Sequence, residues 1–127
     1  MKVVLAPGWK TELDRGPDWL FVKLFGPDGD GADARGISET LAMLLEQELK
    51  RRMVLELDEL EALPQDLIDE LVLLQELLDK QGGVVRVCGL AREHQQALRE
   101  NEGSRRISSF RNREEAVLGF YRPGKPR

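Results

Sequence analysis

The chain has one cysteine, Cys88, and one histidine, His94. A lone thiol excludes an internal disulfide and suits a reducing compartment, so a cytoplasmic location is expected. Cys88 falls at a strand end among apolar neighbours and His94 on a helix face, so the two give no nucleophile–base pair. Zinc-ligand spacing, a glycine-rich phosphate loop and a nucleophile elbow are all missing, and no metal or cofactor is expected. No apolar run reaches the length of a membrane span. The apolar stretch within residues 1–8 is too short for a secretory signal. Aromatic residues make up 6% of the chain and form no run beside the basic residues, which argues against nucleic-acid binding.

The 127 residues, 41% hydrophobic and 33% charged, fit one globular domain with a real core. The net charge of −4 is unevenly spread. Residues 105–127 carry seven Lys/Arg against Glu114 and Glu115, or +5, leaving −9 for residues 1–104. Such a basic end can contact a charged surface elsewhere or the acidic body of its own domain. The domain is expected over residues 1–120, followed by a flexible basic tail at 121–127.

Punctuation and periodicity divide the chain into β-β-α-β-α-β-α-β-α. Trp9 to Asp14 and Asp18 to Leu24 read as a hairpin around Arg15-Gly16-Pro17. A polar loop with four glycines follows from Gly26 to Gly36. Asp28, Asp30 and Glu39 have calcium-loop spacing, but Ala32 and Asp33 occupy positions that need an oxygen donor and a glycine, so an ordinary flexible loop is expected. Ser38 reads as the N-cap of a helix to about Arg51, with Leu41, Leu44, Leu45 and Leu49 as its apolar stripe. A helix from Ala91 to Asn101 precedes a short strand near residues 106–110. Asn112 caps a last helix that turns Ala116, Val117 and Phe120 inward.

The centre of the chain carries the most information. Met53 to Leu57 is a buried strand, Pro64 to Lys80 an amphipathic helix, and Val84 to Cys88 a second buried strand after Gly82-Gly83. Strand, crossover helix, strand implies parallel neighbours in an α/β sheet of four or five strands. Val54, Leu55, Leu57, Leu71, Leu74, Val85 and Val87 are the expected core. On a 3.6-residue period Leu67, Leu71, Leu74 and Leu78 share the inner face, while Asp66, Glu70, Leu73 and Leu77 fall on the outer one. Working residues are expected around Asp58 to Asp69, beyond the carboxyl end of the first of these strands.

This segment resembles the STAS family, which includes bacterial anti-sigma factor antagonists and the cytoplasmic domains of sulfate transporters. The family reads approximately L-D-L-S-x-V-x-x-I-D-S-S-G-L-x-x-L, then a helix, G-G and V-x-V-x-G-L. The chain has Leu55-Glu56-Leu57-Asp58-Glu59-Leu60 continuing without a gap to Asp69-Glu70-Leu71, then Gly82-Gly83-Val84-Val85-Arg86-Val87-Cys88-Gly89-Leu90. Where the family has Asp-Ser-Ser-Gly, the chain has Pro64-Gln65-Asp66-Leu67. The family's phosphorylated serine therefore falls on Asp66, which has no hydroxyl to phosphorylate.

The resemblance implies a non-catalytic, protein-binding regulatory module whose partner is a kinase-like anti-sigma factor. Asp58, Gln65, Asp66, Asp69, Glu70, Leu73 and Leu77 are the candidate partner-binding residues. Asp66 is either a fixed, partial substitute for phosphoserine or a first-turn acid favoured by the helix dipole. Two other functions remain open: an accessory subunit of a phospholipid-transport ATPase, and an enzyme of unknown type, which needs convergent polar residues in a pocket.

Overall fold

The computed structural model describes residues 2–101, 103–104 and 106–119. Ten elements follow in order: β1 (Val3–Ala6), β2 (Trp9–Arg15), β3 (Trp19–Phe25), α1 (Ile37–Gln47), β4 (Arg52–Glu56), α2 (Gln65–Lys80), β5 (Val84–Cys88), α3 (Arg92–Glu100), β6 (Ser109–Phe110) and α4 (Arg113–Leu118). They build one α/β unit on a six-stranded sheet in the order β1-β2-β3-β4-β5-β6. β1, β2 and β3 are antiparallel neighbours. β3, β4, β5 and β6 are parallel. The expected β4-α2-β5 unit is present, with Met53 opposite Val85 and Leu55 opposite Val87.

The sheet is wider than expected because β1 pairs with β2, Val3 lying opposite Thr11. Val3 and Val4 are both exposed, so no alternation marks β1 as a strand. Helix α1 starts earlier than expected. Gly36 is its N-cap with φ of 91°, and Ser38 is a buried residue of the first turn. The helix also ends earlier. Leu49, expected on the apolar stripe, lies beyond it at φ 58° and is 91% exposed. Asn112 does cap α4, its side chain accepting the Glu115 N–H. Ala116 is buried and Val117 half-buried, while Phe120 and the 121–127 tail lie outside the described residues.

Strand alternation sends side chains to two different layers. Leu20, Val22 and Leu24 of β3, Met53 and Leu55 of β4 and Val85 and Val87 of β5 pack with Leu41, Leu45, Leu67, Leu71, Leu74, Leu78 and Leu98 of α1, α2 and α3. Leu57, just past β4, joins this main core. Trp19, Val54 and Cys88 point the other way and meet Ala116 of α4. All seven core residues expected from the sequence are buried. Gly83 allows the closest approach at the α2–β5 turn. A Cβ there would stand 2.7 Å from the Arg51 carbonyl oxygen.

Candidate functional site

Helix α2 begins at Gln65 with Pro64 as its extended N-cap, and no side chain caps it. Proline suits that end because the missing N–H has no partner within the helix anyway. The first two turns carry Asp66, Asp69 and Glu70, and two of these reach across to the start of α1 and the segment before it. Asp66 Oδ2 accepts the Ala34 N–H at 3.1 Å. Glu70 Oε1 accepts the Ser38 N–H at 2.9 Å. Glu70 thus binds an amide in the first turn of α1, where both hydrogen bonding and the helix dipole favour negative charge, and Asp66, one turn earlier on α2, holds the segment that leads into that helix.

This corrects two expectations. Glu70 is not on the outward face; it is 7% exposed. The inner face is wider than its leucines because α1 packs beside α2 and covers the flank that carries Glu70. The 26–36 segment is not a loose loop either. Gly8 and Pro7 carbonyls accept the Asp28 and Asp33 N–H groups at 2.9 and 2.8 Å, and Asp66 holds Ala34. Asp33 itself is held by hydrogen bonds from Arg35, which lower its carboxyl to about 2.

The outer apolar positions keep their expected direction. Leu73 is 45% exposed and Leu77 half-buried. Together with Gly36, Ser38, Glu39 and Glu70 they line an open groove of about 320 Å³ between α1 and α2. Asp66 borders a separate cleft of about 230 Å³ with Trp9, Pro27, Asp30 and Pro64. Gln65 and Asp69 are exposed, and Gln65 Nε2 donates to Asp69 Oδ1 at 2.9 Å.

Asp58 stands apart from these residues. It lies past the carboxyl end of β4 and accepts from Lys23 Nζ at 3.2 Å, and this bond raises the pKa of the lysine. Gly89, at φ 80°, makes room for it: a Cβ at residue 89 would come 3.0 Å from Asp58 Cβ. Lys23, Glu56, Asp58, Cys88, Arg113 and Glu114 share a cleft of about 290 Å³. Arg113 donates to Glu56 Oε1 and Oε2 at 2.8 and 3.0 Å and to Asp14 at 2.7 Å, and it stacks 4.1 Å from the Phe21 ring centroid. Its pKa is raised first by Glu56. Burial, with Glu56 and Asp58 adding to it, pushes the Cys88 thiol up to about 12, so it stays protonated and a poor nucleophile.

No protein-family model matches the sequence, and no curated protein does. Solved structures do match. A serine-to-glutamate variant of RsbS from Moorella thermoacetica has a TM-score of 0.68 at 14% identity, covering 86% of this chain and 92% of that one. The phosphorylated form of the Bacillus cell fate determinant SpoIIAA gives 0.60 at 10% identity, over 86% and 97%. A chain of the stressosome, described as a signal integration and transduction hub, gives 0.58 at 15%, over 85% and 94%. The chain has the STAS fold.

Within this STAS fold the candidate residues are spread over three places. Glu70, Leu73 and Leu77 share the α1–α2 groove, Asp66 lies one turn before it, and Asp58 faces the opposite end of the loop. Sequence reasoning missed Gly36, Ser38 and Glu39 as groove residues, and it missed the Lys23–Glu56–Arg113 cluster. Partnership between Lys23 and Glu56 depends on the β3–β4 register, and Arg113 is 57 positions from Glu56. Neither leaves a local pattern. No helix among the described residues is long and apolar enough to cross a membrane.

Proposed function

We propose that the chain is a regulatory, non-catalytic protein-binding module of the anti-sigma factor antagonist kind. Its docking surface is formed by the start of α2 and the α1–α2 groove. The observation that carries the reading is the open groove with Leu73 and Leu77 on its wall, in a fold shared with an anti-sigma factor antagonist over most of both chains. Leu73 is a large exposed apolar side chain among the exposed acids Asp69, Glu76 and Asp79 of α2. A kinase-like anti-sigma factor is the partner this reading favours. Gln65 and Asp69, exposed beside the groove, contribute polar contacts. Asp58, expected among the partner-binding residues, lies in the separate Lys23–Glu56–Arg113 cleft and is proposed as a second, detached contact.

In this reading the module is not switched at the family's serine position. Asp66 holds that position with a permanent carboxylate, and the Ala34 amide already occupies one of its oxygens. The carboxylate therefore acts as a fixed tether for the 26–36 segment.

The test is capture of a partner on the immobilised chain, followed by measurement of its affinity for the wild type and for the Leu73→Asp, Leu77→Asp double variant. Interfaces concentrate their energy in a few buried anchors. We expect at least a tenfold loss, ~1.4 kcal/mol, with the circular dichroism spectrum retained. Equal affinity of a folded double variant overturns the groove as the docking surface.

A further inference from the structure

The helices that wall the groove are strongly acidic. α1 carries Glu39 and Glu46 and no base. α2 carries Asp66, Asp69, Glu70, Glu76 and Asp79 against Lys80 alone. Asp66 and Glu70 are used inside the fold, but Glu39, Glu46, Asp69 and Glu76 are exposed. Among the described residues none of these four has an ion-pair partner. Helical spacing sets them beside one exposed apolar side chain on each helix; Glu39 and Leu73 line the groove itself, and Met43 and Glu46 lie on the exposed shoulder of α1 beyond that lining. Met43, 53% exposed, lies one turn after Glu39 and one before Glu46 on α1. Leu73 lies one turn after Asp69 and one before Glu76 on α2, with Leu77 beyond.

We propose that this groove, together with the exposed shoulder of α1 beside it, receives a basic amphipathic helix of another protein. Its apolar side chains would lie on Met43, Leu73 and Leu77, and its Lys/Arg side chains on Glu39, Glu46, Asp69 and Glu76. The inference rests on the docking reading above and adds the chemistry of the partner. Two neighbouring helices present ridges that a third helix fits, with anchors one turn apart. Four carboxylates with no ion-pair partner among the described residues repel an acidic segment and attract a basic one over several ångströms, which sets specificity and encounter rate.

A second copy of this chain does not supply such a helix from its described residues. α3 balances Arg92 and Arg99 against Glu93 and Glu100, and its Leu98 is buried. α4 has six residues and buries Ala116 against the sheet.

The experiment places a benzophenone amino acid at Met43 in the full 127-residue chain, and at exposed Leu118 on the far side of the sheet as a control. Irradiation with the captured partner is followed by mass-spectrometric mapping of the joined segment. A helical segment with net charge of +2 or more joined to position 43, and not to 118, is the expected result. Glu39→Lys with Glu76→Lys should weaken the same partner at least tenfold and flatten its salt dependence. A neutral or acidic segment at position 43 overturns the partner chemistry while leaving the docking reading in place. Joining only at position 118, joining to a second copy, or no joining at all overturns both.

Discussion

Glu70 of α2 accepts the backbone N–H of Ser38 at the start of α1, at 2.9 Å and out of solvent. α1 has no side-chain cap of its own, and its N-cap is Gly36. The carboxylate therefore performs the capping function from a neighbouring element. It also ties together the two helices whose groove we assign to partner binding.

Removing that carboxylate leaves a buried amide without its acceptor. Glu70→Ala should cost about 1–3 kcal/mol in urea unfolding. Glu70→Gln keeps an acceptor oxygen and loses only the charge at the helix dipole, so it should cost less, about 0.3–1 kcal/mol. Equal losses for the two variants would mean that packing, and not the hydrogen bond, is the main contribution.

Leu49 follows the α1 C-cap in the left-handed region at φ 58°. The Lys50 N–H reaches the Leu45 carbonyl and the Leu49 N–H that of Glu46, at 3.1 and 3.0 Å, a Schellman arrangement that favours glycine. The left-handed conformation costs a branched residue roughly 1–2 kcal/mol, and glycine's extra freedom when unfolded returns part of that. Because the side chain is 91% exposed, little burial is lost. Leu49→Gly should stabilise the chain by about 0.5–1 kcal/mol, read as a higher urea midpoint at an unchanged slope.

Arg113 joins Asp14, Glu56 and the Phe21 ring across three elements. Arg113→Ala should destabilise by about 2 kcal/mol, because Glu56 then loses its charged hydrogen bonds. Arg113→Lys should restore less than half of this, since an ammonium group has no planar fork for the paired Glu56 oxygens. Full recovery with lysine in thermal unfolding would show that charge alone matters.

Cys88 is buried, with its thiol pushed up to about 12. The folded chain should resist a thiol reagent at pH 8 and react at once in denaturant. The stability sign follows from linkage. The folded thiol binds its proton more tightly than the unfolded one, whose value is near 9, so the contribution is complete below pH 9 and declines as pH rises toward 12. Cys88→Ala should flatten the alkaline limb of the stability curve. Rapid labelling of the native chain at pH 8 would contradict the burial.

Incubation with a serine kinase should leave residues 58–69 unmodified, because the segment holds no serine. Mass spectrometry of the phosphorylated chain checks this, and a phosphate on any residue from Asp58 to Asp69 would remove the unswitched reading.

The sequence by itself determined the β4-α2-β5 unit. A five-residue apolar strand needs two covered faces, and a 3.6-residue leucine stripe needs one. Their succession leaves a parallel pair with a crossover helix, and Met53, Leu55, Val85 and Val87 follow as core. It also placed Leu73 and Leu77 away from the inner face, since period alone sets that angle. Tertiary structure decided the rest. β1 is a strand because β2 offers it a ladder, and nothing in Val3 to Ala6 requires it. By helical period alone Glu70 falls on the outer face of α2. It is buried because α1 lies beside it and presents an amide that needs an acceptor. Periodicity describes one element against an unspecified interior, whereas a carboxylate's environment depends on which donors a second element brings within 3 Å.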